Sequence, residues 1–530
     1  MPPPALASRL SLLDAAFLYL ETDEAPLHIG GVSVLDGDVT ADAYAARLAA
    51  RLPEIPRYLQ RLAPAPLGLG HPVWEADPAF DIRRHVLETR LDAPGDEAQL
   101  QACAARLFAL RLDRRRPLWE FHVIRGVAGG RTALLSKIHH AMVDGVSGVE
   151  FMSVVFDVAP DAASVPATAA NLSRPTPLPG SSLADSLRQA VTDAVDEATA
   201  FVRGAAGLAG SWRAVLDHAR EASTALASAA FHPVARLPFN RTLTGARRLG
   251  WLALPLDGIR AIGQPRRGTI NDVALAVLAD GIGRWLVATG VPTRSRFLRV
   301  LVPVNVRRDD ERGQLGNRVS MVPVEIPFDG DPLARLDYAI ARTAAIKQAR
   351  IAELVGQVGA LGNVLPAWLV ASVLPLTTSR TVLAWTAPLR SVPFLTANLV
   401  CTNVPGPPVP LYGLGRRLVA HYPLVPLGFE TGLNCALLTY DGVLYVGLVA
   451  DAAAIDDLSP LTRCLRSAYK DLRTSSGEEP GSRGVSPRAA ERPSSAKERH
   501  AATPPVTSRP HRSSTTPRHR ARRSAPPRRK

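Results

Sequence analysis

The chain is poor in cysteine, and the cysteines that it has are far apart. Among its 530 residues only Cys103, Cys401, Cys435 and Cys464 are cysteines, and no two of them form a CxxC pair. Zinc sites and disulfide frameworks need closely or regularly spaced cysteines, so neither is indicated. The sequence therefore predicts no metal site and a reduced, cytoplasmic compartment.

A secretion signal and a clear membrane span are also missing. Residues 1–7 contain no basic group and no apolar run of useful length, which a signal peptide needs. The stretch from Leu354 to Ser379 has no charged residue and is long enough to cross a bilayer. Because Pro366 and Pro375 interrupt it, we expect buried or surface-docking helices there instead of a span.

Several catalytic signatures are absent as well. The sequence contains no G-x-S-x-G serine elbow, no Walker loop, no HExxH motif and no dinucleotide glycine fingerprint. A serine hydrolase, a nucleotide hydrolase and a zinc protease are therefore poorly supported as classes for this protein.

Negative charge is scarce at the C-terminus, and this segment explains the net charge. Residues 474–530 carry 14 Lys or Arg and 4 Glu, so they supply +10 of the net charge of +14 and leave +4 for the first 473 residues. The segment is rich in Ser, Pro and Thr and has few large apolar residues, which predicts disorder. It is either a solvated extension or a contact for anionic lipid or nucleic acid.

The most informative segment runs from Lys137 to Gly145 and reads KIHHAMVDG. The apolar residues Thr132 to Ile138 predict a strand, and Gly145 permits a sharp turn. His139 and His140 therefore stand where a strand meets a loop. Histidine suits general-base catalysis because its pKa lies near neutrality. If both residues are extended, their side chains point to opposite faces, and only one of them can face a given substrate.

This HHxxxDG segment and its surroundings resemble the bacterial wax ester synthase/diacylglycerol acyltransferase family. The resemblance runs in order from about Leu10 to about Leu472. Its blocks are Leu10–Asp14, Phe17-Leu18, Pro26–Gly30, Trp74–Pro78, Phe80-Asp81, Pro117–Glu120, Asn271-Asp272, Pro303–Arg307, Leu315–Asn317 and Thr402–Pro407. Other CoA-dependent acyltransferases and peptide-synthetase condensation domains also contain HHxxxDG, so the specificity lies in the ordered set.

The resemblance implies an α/β (α+β) fold of two sandwiched halves with mixed sheets, like chloramphenicol acetyltransferase, with an active-site tunnel between the halves. We accordingly expect residues 1–158 to form an N-terminal acyltransferase domain that carries HHxxxDG. Residues 159–248 are a Pro- and Ala-rich linker with crossover helices. Residues 249–473 form a C-terminal acyltransferase domain, and residues 474–530 form the disordered basic tail.

The resemblance also implies roles for individual residues of the motif. It makes His140 the general base and His139 its motif neighbour, which faces the other way. Asp144 could orient His140, but we favour a structural ion pair with Arg307 that holds the histidine loop. Gly145 completes the motif.

Residues of three further blocks have simpler readings beside the functional one. The resemblance places Asn271 beside the tunnel, where its amide could help a hydroxyl or an oxyanion. A plain helix N-cap at Asn271 or Thr269 is an equally open alternative. Trp119 is expected to be core packing, and Thr402–Pro407 is expected to be a turn that shapes the tunnel.

The activity implied is acyl-CoA-dependent O-acyl transfer to diacylglycerol, which gives triacylglycerol, or to a long-chain alcohol, which gives a wax ester. Acyl-CoA is a co-substrate, and no cofactor is expected. His140 would act in a ternary complex without an acyl-enzyme. The sequence leaves the preferred alcohol and the oligomeric state open. We expect peripheral contact with a membrane or lipid droplet and no specific nucleic-acid partner.

Two other functions stay open beside this one. The first is a condensation-type transferase that takes carrier-bound acyl groups, although the chain shows no carrier domain. The second is a non-catalytic protein that binds lipid or coats droplets, against which the intact HHxxxDG motif argues. A substitution that removes activity but leaves lipid binding intact would separate the second from a catalyst.

Overall fold

The computed structural model describes residues 8–64, 71–142, 152, 155–160, 232, 234–305, 319–348, 397–428 and 430–477. Structural statements below concern these residues. Several sequence predictions lie outside them: Asp144, Gly145, Arg307, the stretch Leu354 to Ser379, residues 478–530, and most of the predicted linker at 159–248.

The helices of the described residues begin and end where local signals favour it. They are α1 (Leu12–Leu20), α2 (Ala41–Arg51), α3 (Glu97–Ala109), α4 (Leu256–Gly263), α5 (Ile270–Ala288), α6 (Pro332–Gln348) and α7 (Ser459–Ser475). Helix α3 opens with a capping box in which Asp96 accepts from the Gln99 amide and the Gln99 side chain accepts from the Asp96 amide. The sequence predicted α2 with the same ends.

Fifteen strands lie in the described residues, and several interior ones are buried along almost their whole length. They are β1 (Ser8–Arg9), β2 (His28–Leu35), β3 (Gln60–Ala63), β4 (Val73–Ala76), β5 (Val86–Arg90), β6 (Trp119–Val127), β7 (Arg131–His139), β8 (Arg247–Pro255), β9 (Phe297–Asn305), β10 (Val319–Pro327), β11 (Leu399–Pro405), β12 (Tyr412–Gly413), β13 (Arg416–Leu424), β14 (Leu433–Tyr440) and β15 (Val443–Asp451). The strand predicted from Thr132 to Ile138 lies within β7.

The first large sheet holds the histidine strand near its centre. Its six strands have the order β12-β13-β2-β7-β6-β5. Strand β5 runs parallel to β6, and the other neighbours are antiparallel. In this register His28 on β2 lies opposite His139 on β7. The motif histidines therefore stand at the end of a fully paired interior strand.

The second large sheet comes from the second half of the chain and is also mixed. Its order is β10-β9-β11-β14-β15-β8, with β11 parallel to both β9 and β14. Helices α4, α5, α6 and α7 contribute to one large apolar cluster with this sheet. A small third sheet has the order β1-β4-β3.

Two apolar clusters flank the first sheet. One contains α3 and the side chains of Val32, Leu135 and Ile124, and it continues to Trp251 and Val449 of the second sheet. The other contains Leu134, Ile138 and Phe121 with residues of α1 and α2. The two halves therefore share buried apolar side chains through α3.

The described strands do not follow the predicted domain boundaries at every point. Strand β13 belongs by sequence to the predicted segment 249–473, but it pairs with β2 and completes the first sheet. Its carbonyl at Pro423 comes so close to β15 that a Cβ on Gly447 would lie 1.8 Å from the oxygen, so only glycine fits there. The first sheet thus needs residues from both predicted domains.

The predicted tail also begins too early. Helix α7 runs to Ser475, and the amide of Ser476 donates to the carbonyl of Leu472 at 3.0 Å. Leu461, Leu465 and Leu472 are buried along one face of this helix. These apolar contacts hold the last turn in place, so residues 474–477 belong to the folded unit.

Candidate active site

Strand β7 ends at His139, and a short 3₁₀ segment, His140–Met142, follows it. The amide of His139 donates to Leu118 at 2.9 Å, and the amide of His140 donates to Leu27 at 2.9 Å. Only His139 is therefore extended, because the chain turns at His140, and the condition under which the two side chains point to opposite faces is not met. Leu118 directly precedes β6 and Leu27 directly precedes β2, so each histidine backbone is held by the start of a neighbouring strand.

The His140 ring lies against an aromatic side chain of α1. Its centroid is 3.9 Å from that of Phe17, and the two planes differ by 16°. Its Nδ1 is buried and has no hydrogen-bond partner among the described residues. Burial, with a smaller contribution from His139, lowers the pKa of His140 to about 4. The ring is therefore an uncharged imidazole at neutral pH, which is the form that accepts a proton.

His139 is held in one tautomer by its surroundings. The amide of Ala141 donates to its Nδ1 at 3.1 Å, so in the neutral ring the hydrogen sits on Nε2. That Nε2 lies 3.4 Å from Oε1 of Glu21. The separation is long for a hydrogen bond and short enough for an ion pair. Only 1% of the His139 side chain is exposed, so this contact is shielded from water.

The Glu21 carboxylate joins several groups at this point. Its Oε2 accepts from Arg111 at 3.0 Å and from Arg114 at 2.8 Å, and its Oε1 accepts from the amide of Leu27 at 3.1 Å. Burial alone would raise the pKa of Glu21, but His139 and Arg114 outweigh it and hold the pKa well below its usual range. Glu21 is therefore ionised.

A second buried polar group lies on β7 two residues before His139. Lys137 is fully buried, and its Nζ donates to the carbonyl of Leu110 at 2.7 Å and lies 3.4 Å from Oε2 of Glu120. Burial lowers the pKa of Lys137. His122 contacts the same Glu120 oxygen at 3.2 Å. Glu120 is the last residue of the Pro117–Glu120 block, so that block supports the histidine strand from its neighbour β6.

Asn271 is not the N-cap of its helix. Thr269 is the N-cap of α5, in a capping box with Asp272. The Oδ1 of Asn271 is buried and has no hydrogen-bond partner among the described residues. Among the described residues, no hydrogen bond, ion pair or ring contact joins Asn271 to either histidine. The predicted cap is therefore confirmed at Thr269 and excluded at Asn271, and the Asn271 amide oxygen has unused hydrogen-bonding capacity.

Two other blocks can be compared with their predicted roles. Trp119 is 1% exposed and its Nε1–H donates to the carbonyl of Tyr58 at 2.8 Å, which confirms core packing. Thr402–Pro405 was expected to be part of a turn, but it lies in the interior strand β11. A Cβ on Gly406 would lie 2.2 Å from the carbonyl oxygen of Thr439, so this glycine allows close strand approach. The block is strand first and turn only after Pro405.

Sequence reasoning did not single out Glu21, Arg111 or Arg114. The signals were present, since Phe17-Leu18 stands one turn before Glu21 and the charged turn Asp113–Arg116 precedes the Pro117–Glu120 block. Nothing local shows that residues 93 positions apart meet, as Glu21 and Arg114 do. The predicted pair of Asp144 with Arg307, and the role of Gly145, stay predictions because these residues lie outside the described ranges.

The fold is that of a class of mixed α/β proteins built on two large sheets. The structure is similar to that of a wax ester synthase/diacylglycerol acyltransferase from Marinobacter aquaeolei VT8, with a TM-score of 0.60 and 24% identity, over 89% of this chain and 100% of that one. It is also similar to the first condensation domain of the calcium-dependent antibiotic synthetase, with a TM-score of 0.52 and 15% identity, over 89% and 97%. These likenesses confirm the predicted mixed two-domain α/β fold.

The sequence places the chain in one family of this class. Residues 10–274 match the wax ester synthase/diacylglycerol acyltransferase catalytic domain, and residues 315–473 match the WS/DGAT C-terminal domain. The chain is 32% identical over 483 residues to a probable diacylglycerol O-acyltransferase of Mycobacterium tuberculosis, with 88% of this chain and 96% of that protein covered. The chain belongs to the wax ester synthase/diacylglycerol acyltransferase family.

Within the described ranges, no helix is both long enough and apolar enough to span a bilayer. The uncharged stretch Leu354 to Ser379 lies outside those ranges, so our expectation for it stays a prediction.

Proposed function

We propose that the protein is an acyl-CoA-dependent O-acyltransferase that makes triacylglycerol from diacylglycerol, wax esters from long-chain alcohols, or both. The observation that carries the proposal is the half-buried, uncharged imidazole of His140 at the end of β7, stacked on Phe17. Family membership supports the reaction class. The Mycobacterium relative is named as a diacylglycerol O-acyltransferase and the Marinobacter relative as a wax ester synthase/diacylglycerol acyltransferase, which supports the two acceptor classes.

The chemical step follows from an imidazole that accepts a proton. The acceptor hydroxyl oxygen attacks the thioester carbonyl carbon while His140 removes the hydroxyl proton, which avoids a free alkoxide. A C–O bond forms and the C–S bond breaks. CoA leaves as a thiolate, which takes the proton from the imidazolium. Because the pKa of His140 is low, its imidazolium is a stronger acid than an exposed one and gives the proton readily to the thiolate. The transfer is direct and forms no acyl-enzyme.

Two further groups support this step in the proposal. The Oδ1 of Asn271 accepts from the acceptor hydroxyl, or its Nδ2–H donates to the oxyanion. The buried Oδ1, which has no partner among the described residues, supports the bond to the hydroxyl, because a buried polar atom without a partner is costly. Asp144 and Arg307 form an ion pair that holds the histidine loop and does not orient His140. We infer that the tunnel of the family runs between the halves and admits both substrates.

The substrates are insoluble in water, and this bears on where the protein works. We infer that it is cytoplasmic and contacts a membrane or lipid droplet peripherally. The basic segment after α7 supports such a contact, since Lys and Arg near an anionic surface are attracted to it.

The test uses purified full-length protein with labelled palmitoyl-CoA and dispersed acceptors. Diacylglycerol and hexadecanol are offered separately and together, and ester and free CoA are both measured. We expect one CoA per ester and no ester without acceptor. Mass spectrometry after incubation with palmitoyl-CoA alone should show unmodified protein, and a stable acylated protein would contradict direct transfer.

The alternatives give different results in the same experiment. A condensation-type transferase would use a carrier-bound acyl group and leave palmitoyl-CoA unused. A non-catalytic lipid-binding protein would bind the dispersed acceptors and release no CoA. Either result would refute the proposed function.

A further inference from the structure

Helix α1 contacts both histidines of the motif from one side. Phe17 and Glu21 are four residues apart, so they lie on the same face at the end of this helix. Phe17 stacks on the His140 ring, and Glu21 lies 3.4 Å from Nε2 of His139. One helix end therefore supports the two adjacent imidazoles.

Glu21 also fixes the backbone that carries His140. Its Oε1 accepts from the amide of Leu27 at 3.1 Å, and the carbonyl of the same Leu27 accepts from the amide of His140 at 2.9 Å. The carboxylate is thus linked to the histidine turn by two routes, through Leu27 and through His139. A shift of Glu21 would move both routes together.

The carboxylate is itself held from outside. Arg114 contacts Oε2 through two nitrogens, at 2.8 and 3.2 Å, and it also donates to the carbonyl of Leu18 in the last turn of α1 at 2.6 Å. Arg111 adds a third contact at 3.0 Å and reaches Asp23 at the surface. Such charge-assisted contacts are among the stronger hydrogen bonds in proteins.

We propose that Glu21 is a positioning residue for acyl transfer, which holds His140 in its reactive place through His139 and Leu27. The inference rests on the proposed function, because it assigns to His140 the proton-accepting role. Glu21 does not touch the reacting atoms. It acts by fixing the Nε2–H tautomer of His139 and the turn that follows β7.

The ionised state of Glu21 supports this role. The contacts with His139 and Arg114 outweigh burial and keep the pKa of Glu21 well below its usual range. A neutral amide at this position would still accept from Leu27, but it would present hydrogens to the arginines and lose its charge beside His139. Both guanidinium side chains are about one-third exposed, so they can turn to water and the fold should survive.

The test compares four full-length proteins: the wild type, Glu21→Gln, Glu21→Asp and Asp23→Asn. Glu21→Gln keeps the reach and removes the charge, whereas Glu21→Asp keeps the charge and falls one methylene short of His139. Asp23→Asn is the matched control, because Asp23 binds Arg111 without touching either histidine. Circular dichroism and melting temperature check the fold of each variant.

We expect both Glu21 variants to lose about tenfold to a hundredfold in kcat, since small misplacements of a catalytic group cost this much. KM for palmitoyl-CoA and for the acceptor should change less than twofold, and Asp23→Asn should match the wild type. A general loss of stability would instead lower the amount of active protein in all variants alike. A folded Glu21→Asp or Glu21→Gln variant with wild-type kcat would overturn the inference.

A double-variant cycle tests the route through His139. If Glu21 acts through that ring, adding Glu21→Gln to His139→Gln should lower kcat by less than threefold further. Full additivity of the two losses would refute the route. The wild type is assayed first, so absence of any ester there rejects the proposed function, whereas active wild type with unaffected Glu21 variants rejects only this inference.

Discussion

The two six-stranded sheets are alike in size and mixed order but differ in how they treat buried charge. The second sheet neutralises its charges in pairs, as between Arg299 and Glu325 at 2.6 Å and between Arg247 and Asp451 at 3.3 Å. The first sheet buries His28, and His140 directly follows its strand β7; each has a buried Nδ1 with no partner among the described residues. We therefore expect substitutions at the first sheet to affect the chemistry most, and substitutions in the second sheet, which acts as a scaffold, to affect mainly stability.

The largest expected effect comes from the first sheet. His140→Ala should lower kcat by about 10²–10⁴-fold, because a general base contributes about this much. His232→Ala is the matched control, since His232 is half-exposed and pairs with Glu325 of the second sheet. Steady-state ester formation with unchanged melting temperature would check the result. A folded His140→Ala protein with near-normal turnover would remove the distinction between the sheets.

The second sheet should respond in stability and not in chemistry. Leu448 on β15 is fully buried in its apolar cluster, so Leu448→Ala should cost about 2–5 kcal/mol in the free energy of unfolding. Urea unfolding measures the loss, and kcat is expressed per folded molecule. We expect that kcat to stay within twofold of the wild type. A tenfold fall would show that the scaffold also carries the reaction.

Acid should act on the first sheet through its histidines. Burial is the main cause that lowers the pKa of His28 to about 3 and the pKa of His421 to about 4, as for His140. The unfolded chain then binds protons that the folded chain refuses, so stability is present above about pH 6.5 and is lost as pH falls toward 4. At pH 5 the loss is on the order of 2 kcal/mol for each histidine.

Urea unfolding at pH 7, 6 and 5 checks this dependence. His421 hydrogen-bonds Ser33 at 2.7 Å and lies away from the motif, so His421→Gln is a useful comparison. His421→Gln should reduce the fall in the free energy of unfolding between pH 7 and pH 5 by the contribution of one histidine. An equal slope in both proteins would mean that His421 does not stay neutral in the fold.

The smallest expected effect concerns the segment that belongs to neither sheet. A chain that ends after Gly477 keeps all of α7, so we expect its folded core and its kcat with dispersed acceptor to be unchanged. Binding to anionic vesicles should fall, since each Lys or Arg near such a surface contributes about 1 kcal/mol and salt screens it. Co-sedimentation at low and high salt measures this.

Equal binding of full-length and shortened protein at low salt would contradict a role for the tail. The uncharged stretch Leu354 to Ser379 would then be the better candidate for the membrane contact.

Local signals were sufficient for individual elements. The apolar, β-prone run Thr132 to Ile138 predicted β7 and the position of the histidines at its end, and the polar residues Thr269 and Asp272 marked the start of α5, because caps and residue preferences act within a few residues. The resemblance supplied the proposed role of His140 and the mixed fold.

Long-range choices were beyond such signals. Strand β13 has nine residues and a mostly apolar C-terminal half, yet nothing in its sequence identifies β2 as its partner. Glu21 looks like an ordinary helix-end carboxylate, and its role depends on Arg114 and His139 arriving from distant elements. The Thr402–Pro405 error has the same origin, because Pro and Gly residues that resemble a turn also occur where strands approach closely.

The pairing of β13 with β2 has a consequence for how the protein is made. The bond between Ser33 and His421 joins residues 388 positions apart, so the catalytic sheet closes only after residue 424 has left the ribosome. Until then the edge of β2 that faces away from β7 has no partner strand, and such open edges pair readily with other chains. Such remote contacts also slow folding. The nascent chain should therefore depend on chaperones during synthesis, and it should aggregate when translation stops before β13.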